Sequence, residues 1–174
     1  MVLTMRKLLY IAIALLVAGL LFAHVSLSRM DVQRLVACAA TNDASRIPSS
    51  VCMFYLQHFT GSDDAAQLAA GPGLAYAFEI NDSHTQRAVL ERLLEIGVDI
   101  NAPSGVDGLT PLNAAILLND AELVGFLLAC GADAQAGDAH DRDAGDYLAL
   151  LREQDGMTDR SALSVVLERS TTWE

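Results

Sequence analysis

Positive charge is scarce in this sequence, which has 11 Lys and Arg residues against 22 Asp and Glu residues and a net charge of −11 at pH 7. All of the acidic residues but only 9 of the basic ones follow residue 28, so the chain beyond that point has a net charge of −13. Such a surface lacks the clustered cations that phosphate binding requires, and we expect no nucleic-acid partner. The acidic charge either attracts a basic protein partner or serves solubility alone.

Recognisable catalytic motifs are also missing. The sequence has no C-x-x-C, no H-E-x-x-H and no glycine-rich phosphate loop. His24 lies in an apolar stretch, His58 on a predicted helix and His84 in a predicted loop, and none has a Ser or Cys nucleophile at a recognised spacing. We therefore predict that the protein is not an enzyme and that it has no cofactor and no small-molecule substrate.

The strongest candidate for metal binding is the acidic segment "GDAHDRDAGD" at residues 137–146. A calcium loop of the EF-hand type needs Gly at its sixth position and Glu at its twelfth. Counted from Asp138, these positions hold Asp143 and Ala149, and counted from Asp141 neither requirement is met. We predict no metal site here and interpret the segment as a solvated turn.

Cysteine is limited to Cys38, Cys52 and Cys130. Cys38 and Cys52 enclose a short segment that follows the apolar stretch. In an oxidising compartment a bridge between them would stabilise that segment by about 3 kcal/mol, by the loop-closure entropy. We predict this disulfide. Cys130 precedes Gly131 at a predicted helix end and is interpreted as a small buried apolar residue.

One long apolar stretch, residues 8–28, has no formal charge and is preceded by Arg6 and Lys7. A helix of this length spans roughly 30 Å, the thickness of a bilayer core. A cleaved signal peptide, leaving a soluble periplasmic protein, is the alternative, but Ala23 follows a large residue by two positions and Ser28 lies late for a cleavage site. We predict an uncleaved signal anchor in a bacterial inner membrane. The basic residues ahead of the span favour a cytoplasmic N-terminus and a periplasmic body.

Residues 107–133, "DGLTPLNAAILLNDAELVGFLLACGAD", have the signals of a turn, two short helices and a stop. Thr110 is a helix cap and Pro111 suits the first helical position. Asn119 and Asp120 interrupt the helical spacing of the apolar residues. Gly131 ends the second helix, where a left-handed residue is favoured.

The same pattern occurs upstream. "VLERLLEIGVDINA" at residues 89–102 aligns with "LVGFLLACGADAQA" at residues 123–136 at a constant offset of 34 residues, which places Gly97 over Gly131. "GLAYAFEIND" at residues 73–82 matches the beginning of the later copy. Internal repetition with this period is typical of proteins built from stacked helix pairs.

The repeated unit resembles the ankyrin repeat. The family pattern is T-P-L-H-x-A; Thr110, Pro111, Leu112 and Ala115 match it, and Asn113 replaces the His. The resemblance implies an all-α fold, a short ankyrin-like helical-repeat solenoid preceded by one N-terminal transmembrane helix. The expected divisions are a signal anchor at residues 1–28, N-terminal capping helices and loop at residues 29–70, ankyrin-like repeats at residues 71–143 and a C-terminal capping helix pair at residues 144–174.

Ankyrin-like proteins bind other proteins, and the resemblance implies that the turn tips and the first helices form the binding face. For Leu117 and Leu118, packing in the core is the alternative. The residues assigned to partner binding are Tyr76, Glu79, Ser104, Val106, Asp107, Leu109, Ala114, Leu117, Leu118, Asp138, His140, Asp141, Arg142 and Tyr147.

A small ankyrin-like protein at the periplasmic side of the inner membrane resembles an immunity protein, which binds and neutralises a secreted antibacterial toxin. We expect that role, with a toxin or effector as the partner and a basic one favoured by the charge. A periplasmic adaptor that supports a partner enzyme, for example an antioxidant enzyme, is the alternative. An enzyme with a metal at residues 138–146 forms a third class.

Overall fold

The computed structural model describes residues 2–41, 47–154 and 158–171, and within these ranges it contains helices and turns and no strand. The predicted all-α class is confirmed for these residues. The chain divides into two compact units, Met1–Phe59 and Thr60–Glu174.

The first unit begins with a long apolar helix, α1, Val2–Leu27. Its run Leu9–Leu27, 19 residues, is long enough and apolar enough to cross a membrane. The described side chains at residues 9–26 are exposed, whereas Leu27 is buried. A cleaved signal sequence would have the same length and composition, so the anchor and the cleaved signal both stay predictions.

Two further helices of the first unit, α2 (Val32–Ala40) and α3 (Ser49–Phe59), pack against each other. The apolar residues of α2 recur at helical spacing, and those on the inner face become buried. Cys38 and Cys52 form a disulfide that joins the two helices, with their Cα atoms 5.9 Å apart. The buried residues of this pair are Val32, Leu35, Val36, Ala39, Cys52, Tyr55 and Leu56.

The described elements of the second unit are, in chain order, α4 (Ser62–Ala69), a 3₁₀ helix (Gly73–Glu79), α5 (Ser83–Glu95), α6 (Pro111–Leu117), α7 (Ala121–Ala129), α8 (Ala144–Gln154) and α9 (Ser161–Thr171).

Helix α4 has no counterpart in the sequence-based prediction. It begins where the Asp64 carboxylate accepts a hydrogen bond from the Gly61 N–H at 2.9 Å, which is half of a capping box. Ala65 and Leu68, three residues apart, face the interior. Because α4 packs against the 3₁₀ helix, the boundary expected between residues 70 and 71 lies inside the second unit.

Side-chain caps define where the helices of the second unit begin. Asp82 accepts a hydrogen bond from the Thr85 N–H at 2.8 Å ahead of α5, and Thr110 accepts one from the Asn113 N–H at 3.2 Å ahead of α6. Each cap satisfies one of the backbone donors that a helix start leaves free. The Thr110 cap and Pro111 at the first helical position agree with the predicted helix start.

The helices of the second unit pack as three neighbouring pairs. The first pair is the 3₁₀ helix with α5, the second is α6 with α7, and the third is α8 with α9. Helix α6 contacts the 3₁₀ helix and α8, and α7 contacts α9, so each pair buries apolar side chains of the next. The curved solenoid stays a prediction. The largest fully buried side chains of these pairs are Leu74, Leu90, Leu93, Leu112, Ile116, Leu127 and Leu163.

Candidate functional site

The turn ahead of α6 is held by the side chain of Ser104, which is buried. Its Oγ accepts hydrogen bonds from the backbone N–H groups of Val106 at 3.1 Å and Asp107 at 3.3 Å. Its own N–H donates to the Leu109 carbonyl at 2.8 Å, and its carbonyl accepts from the Gly108 N–H at 3.0 Å. These four bonds fix the turn, and its tip exposes Val106, whose exposed fraction is 74%.

Backbone hydrogen bonds join this turn to the turns of both neighbouring pairs. Gly105 N–H donates to the Gly71 carbonyl at 2.8 Å, and Ala139 N–H donates to the Gly108 carbonyl at 2.9 Å. Gly71, Gly105 and Ala139 are spaced by 34 residues, which is the period found in the sequence. We call residues 71–73, 104–108 and 138–142 the turn row.

Two glycines permit the close approach of these turns. A Cβ on Gly105 would lie 2.6 Å from the carbonyl oxygen of Ala70, which is too near for any real contact. Gly108 has φ +75°, and a Cβ there would lie 2.8 Å from the Cβ of Ala139. The left-handed backbone favours glycine at residue 108 independently of the space. Sequence analysis did not identify Gly105, although its 34-residue distance from Gly71 was a visible signal.

Asp138 does for the third turn what Ser104 does for the second. One carboxylate oxygen accepts hydrogen bonds from the backbone N–H groups of His140 at 2.7 Å and Arg142 at 3.0 Å. The other oxygen accepts one from the hydroxyl of Tyr147 at 2.6 Å. Both Asp138 and Tyr147 are buried, so this pair is part of the support beneath the turn.

The protonation of this pair is shifted in opposite directions. Burial by itself would raise the pKa of Asp138, but the hydrogen bonds from Tyr147, Arg142 and His140 stabilise the carboxylate, and its pKa is lowered. Burial raises the pKa of Tyr147, and the hydrogen bond to Asp138 and the charge of that carboxylate raise it further. The pair therefore carries one negative charge, on Asp138, across the neutral pH range.

Asn113 connects α6 to the third turn. Its side-chain Nδ2 donates to the carbonyl of Arg142 at 3.0 Å. The residue is 1% exposed and occupies the position where the family pattern has His. A second link between pairs, also absent from the sequence-based prediction, runs from the Asp133 N–H to the Asn101 side-chain oxygen at 2.9 Å. Both bonds join groups about one repeat apart and so depend on the stacking of the pairs.

Four of the residues assigned to partner binding are corrected by the structure. Ser104, Asp138 and Tyr147 are buried and bonded within the turns, and Ala114 is buried on α6. Side chains enclosed in this way have little surface for a partner, and their described role is to hold the surface in place. The prediction that all of residues 138–146 form a solvated turn is wrong at Asp138 for the same reason.

The other assigned residues retain surface. Tyr76 and Leu109 are half-buried, and Leu117 and Leu118 are 40% and 60% exposed at the end of α6. The Arg142 guanidinium carbon lies 6.0 Å from the centre of the Tyr147 ring, within reach of a cation–π contact. The exposed members of the set are Glu79, Val106, Asp107, Leu117, Leu118, His140, Asp141 and Arg142.

Cys130 departs from its predicted role. It is exposed at the end of α7 and is a free thiol, not a buried apolar residue. It caps the helix end with its backbone N–H directed to preceding carbonyls, so its side chain is directed away from the packed face. The partial burial that remains, together with the charge of Glu91, raises the pKa of this thiol and keeps it protonated at neutral pH.

The acidic segment at residues 137–146 has no arrangement suited to a metal. Across the described ranges of the chain, no three His, Cys, Asp or Glu side chains are grouped so as to hold an ion. Both carboxylate oxygens of Asp138 already accept hydrogen bonds from protein groups.

Comparison with known proteins agrees with the geometry of the second pair. The sequence model of the ankyrin repeat matches residues 107–136, which run from the second turn through α6 and α7. This protein contains an ankyrin repeat. No curated protein and no solved structure matches the chain.

The ankyrin repeat at residues 107–136 places the chain among proteins whose repeats are protein–protein interaction modules and are typically not catalytic. The repeat contains Val106's neighbour Asp107, the Thr110 cap and the exposed end of α6. The pairs on either side lie outside the matched residues, but their turns are bonded to this repeat at the same 34-residue spacing.

Proposed function

We propose that the ankyrin-containing unit binds a protein partner through the exposed part of the turn row. The observation that carries this proposal is Val106, which is 74% exposed at the tip of a turn that four hydrogen bonds hold in place. An apolar side chain held rigidly in solvent is costly unless a partner covers it. Because the turn is already ordered, binding requires little further loss of conformational entropy.

The surroundings of Val106 provide polar contacts for the same partner. Asp107 is its neighbour on the second turn, and His140, Asp141 and Arg142 occupy the adjoining turn. Leu117 and Leu118 add apolar surface at the far end of α6, about 10 Å along the helix from Pro111. A patch with apolar residues among charged ones matches the usual composition of a protein interface.

Charge favours a basic partner. The unit Thr60–Glu174 contains six Arg and no Lys against twenty Asp and Glu, a net charge of −14. Such a field attracts a cationic protein at long range and orients its approach.

The finer proposal is that the protein is an immunity protein. In it, α1 tethers the chain to a bacterial inner membrane, the body lies in the periplasm, and the turn row neutralises a secreted antibacterial toxin there. The disulfide between Cys38 and Cys52 supports an oxidising compartment. The exposed apolar run of α1 supports the tether.

An adaptor for a resident periplasmic enzyme, for example an antioxidant enzyme, is the second candidate. The observation that favours it is the apolar exposure of Leu118 and Val106, since permanent complexes have more apolar interfaces than transient ones. The two candidates differ in when the partner is present, and this difference can be measured.

The test is site-specific photo-crosslinking of the full chain in living cells. A photoreactive amino acid replaces Val106, and the matched control carries it at Val165, an exposed apolar residue of α9. The proposal expects a crosslinked protein at residue 106 and none at residue 165. Equal yields at the two positions, or no product at either, would contradict binding through the turn row.

The identity and timing of the crosslinked protein separate the two candidates. A secreted toxin that appears only during attack, and that kills cells lacking this protein, supports immunity. A periplasmic enzyme that is crosslinked in undisturbed cells, and whose activity falls when the protein is deleted, supports the adaptor and overturns immunity.

A further inference from the structure

An aromatic cluster lies beside the end of α1 in the first unit. His24 Nδ1 and the Tyr55 hydroxyl are 2.8 Å apart, and the His24 ring meets the Phe59 ring edge-on at 5.3 Å between centroids. The Tyr55 and Phe59 rings stack at 4.8 Å, and the Phe54 and His58 rings stack at 4.3 Å. We call His24, Phe54, Tyr55, His58 and Phe59 the aromatic cluster.

The outer rings of this cluster are not covered by protein. Phe54 is 50% exposed and Phe59 is 51% exposed, whereas Tyr55 is 9% exposed. Large apolar rings left in water next to each other are unfavourable, and a patch of this kind marks a binding surface. Helix α3 therefore has one face packed on α2 and a second, aromatic face without a partner in the described structure.

The position of the cluster along α1 indicates what covers it. His24 precedes the end of α1, Leu27, by three residues, which corresponds to about 5 Å of helix. The apolar run continues up to this point with exposed side chains on the described residues 9–22. The exposed surface of the aromatic cluster is thus continuous with the exposed apolar surface of α1, at the depth where a spanning helix meets the headgroup region.

Residue chemistry agrees with this position. Aromatic rings with a polar edge concentrate where hydrocarbon meets headgroups, and His24, Tyr55 and His58 supply such edges. Arg29 and Arg34, the basic residues directly after α1, are exposed. Residues 1–59 contain five Lys and Arg against two Asp, a net charge of +3, the opposite sign to the second unit. A positive patch at this depth is attracted to anionic lipid headgroups.

We propose that α3 is an interfacial helix whose aromatic cluster lies in the lipid headgroup boundary, so that the bilayer is the partner of its exposed face. The proposal rests on the membrane tether of the proposed function and adds a second, surface contact to it. In this arrangement the Cys38–Cys52 disulfide holds α2 to a helix that is itself attached to the membrane surface.

The test is quenching of tryptophan fluorescence by lipid. The full chain is reconstituted in vesicles of three parts phosphatidylethanolamine to one part phosphatidylglycerol with brominated acyl chains. The single native tryptophan, Trp173, is changed to Phe, and one new tryptophan is introduced as Phe54→Trp, Phe59→Trp or the matched control Val165→Trp.

The proposal expects tryptophan at residues 54 and 59 to be quenched several-fold more strongly than tryptophan at residue 165, with emission shifted to shorter wavelength. Equal quenching at the three positions, in chains that stay with the vesicles through alkaline carbonate washing, would overturn it and leave the tether intact. Release of the chain by carbonate would instead remove the tether, and this inference with it.

Folding of the variants is checked by helical circular dichroism. Phe54→Trp replaces a half-exposed ring with a larger one at a position with open space, so it provides the test alone if Phe59→Trp loses helical signal. An interfacial role also predicts that Phe54→Glu lowers the quenching of a tryptophan at residue 59. Unchanged quenching there contradicts contact between α3 and lipid.

Discussion

Single buried polar residues determine which side chains this protein presents. Ser104 and Asp138 each turn their acceptor oxygens inward to backbone N–H groups of their own turns, and so leave the next two to four residues pointing out. A buried acceptor that satisfies two donors is costly to remove, because the freed N–H groups lose their partners inside the protein. The support and the contact surface are therefore carried by different residues of the same turn.

Removing the hydroxyl of Tyr147 tests the support beneath the third turn. Tyr147→Phe should lower the free energy of unfolding by about 1–3 kcal/mol, because Asp138 then loses a charge-assisted hydrogen bond in a buried position. Chemical denaturation followed by circular dichroism measures this. Tyr76→Phe, at a half-buried ring on the 3₁₀ helix, is the control and should change stability by less than about 0.5 kcal/mol.

The same pair predicts a defined pH dependence. The lowered pKa of Asp138 means that its contribution is present above about pH 4 and is lost as the pH falls through the lowered value. The raised pKa of Tyr147 means that its contribution is present below about pH 10 and is lost as the pH rises through the raised value. The stability difference between the wild-type protein and Tyr147→Phe should be constant between these limits and shrink in strong alkali. A difference that persists unchanged through strong alkali would show that the hydroxyl is not the source of the stability.

Val106 and Leu118 test the contact surface separately from the support. Val106→Arg or Leu118→Arg should weaken partner binding by about 1.4 kcal/mol or more, a factor of ten in the dissociation constant, since each change removes apolar contact and opposes a basic partner. Isothermal titration with the crosslinked partner measures the effect, and the melting temperature should be unchanged. Val165→Arg is the control. A loss of cooperative melting in Leu118→Arg would place Leu118 in the core.

At the scale of elements, the sequence predicted those that its local signals define. The Thr110 cap, Pro111 and the glycines at residues 97 and 131 mark helix ends through their own backbone preferences, and Gly97 and Gly131 have φ +99° and φ +96°. Helix α4 has only Ala65 and Leu68 facing inward, too few apolar residues to give a periodic signal.

The roles of Ser104 and Asp138 could not be predicted because they depend on a neighbouring turn. Both residue types are mostly exposed in proteins, and nothing in the local sequence indicates burial. Their burial follows from the contact of the turns across 34 residues. The aromatic cluster is similar, because Tyr55 and His24 are brought together only by the packing of α3 beside α1.

Two glycine substitutions of the same size should act in opposite directions. Gly105→Ala should lower the free energy of unfolding by about 1–3 kcal/mol, since the new Cβ would meet the Ala70 carbonyl at 2.6 Å and separate the turns. Gly125→Ala, inside α7, should raise it by up to about 1 kcal/mol, because its nearest neighbour, a methyl of Val166, lies 3.7 Å away. Equal effects of the two changes in denaturation would contradict the tight contact between turns.

The whole molecule divides its charge between its two units. Residues 1–59 have a net charge of +3 and residues 60–174 a net charge of −14. The positive part matches the sign that anionic lipid attracts, and the negative part matches a basic protein partner. This division explains how an acidic protein can be proposed both to contact a membrane and to bind a cationic partner.

Long-range charge should govern how fast the partner arrives. The association rate constant should fall by about tenfold or more from low salt to physiological ionic strength, where the Debye length is about 8 Å. The dissociation rate constant should change little, and stopped-flow fluorescence measures both. Asp107→Asn with Asp141→Asn should flatten this dependence more than Glu153→Gln, a change at an exposed residue of α8. A salt-independent association rate would contradict electrostatic steering.

The backbone bonds from Gly105 to Gly71 and from Ala139 to Gly108 also give the turn row an unusual behaviour in time. Amide hydrogens in surface loops normally exchange with deuterated water through small local openings. These two amides are locked into the neighbouring turn, so they can exchange only when one helix pair separates from the next. Two loop amides thereby become clocks for the parting of repeats, and a partner that bridges the turns would slow both of them together.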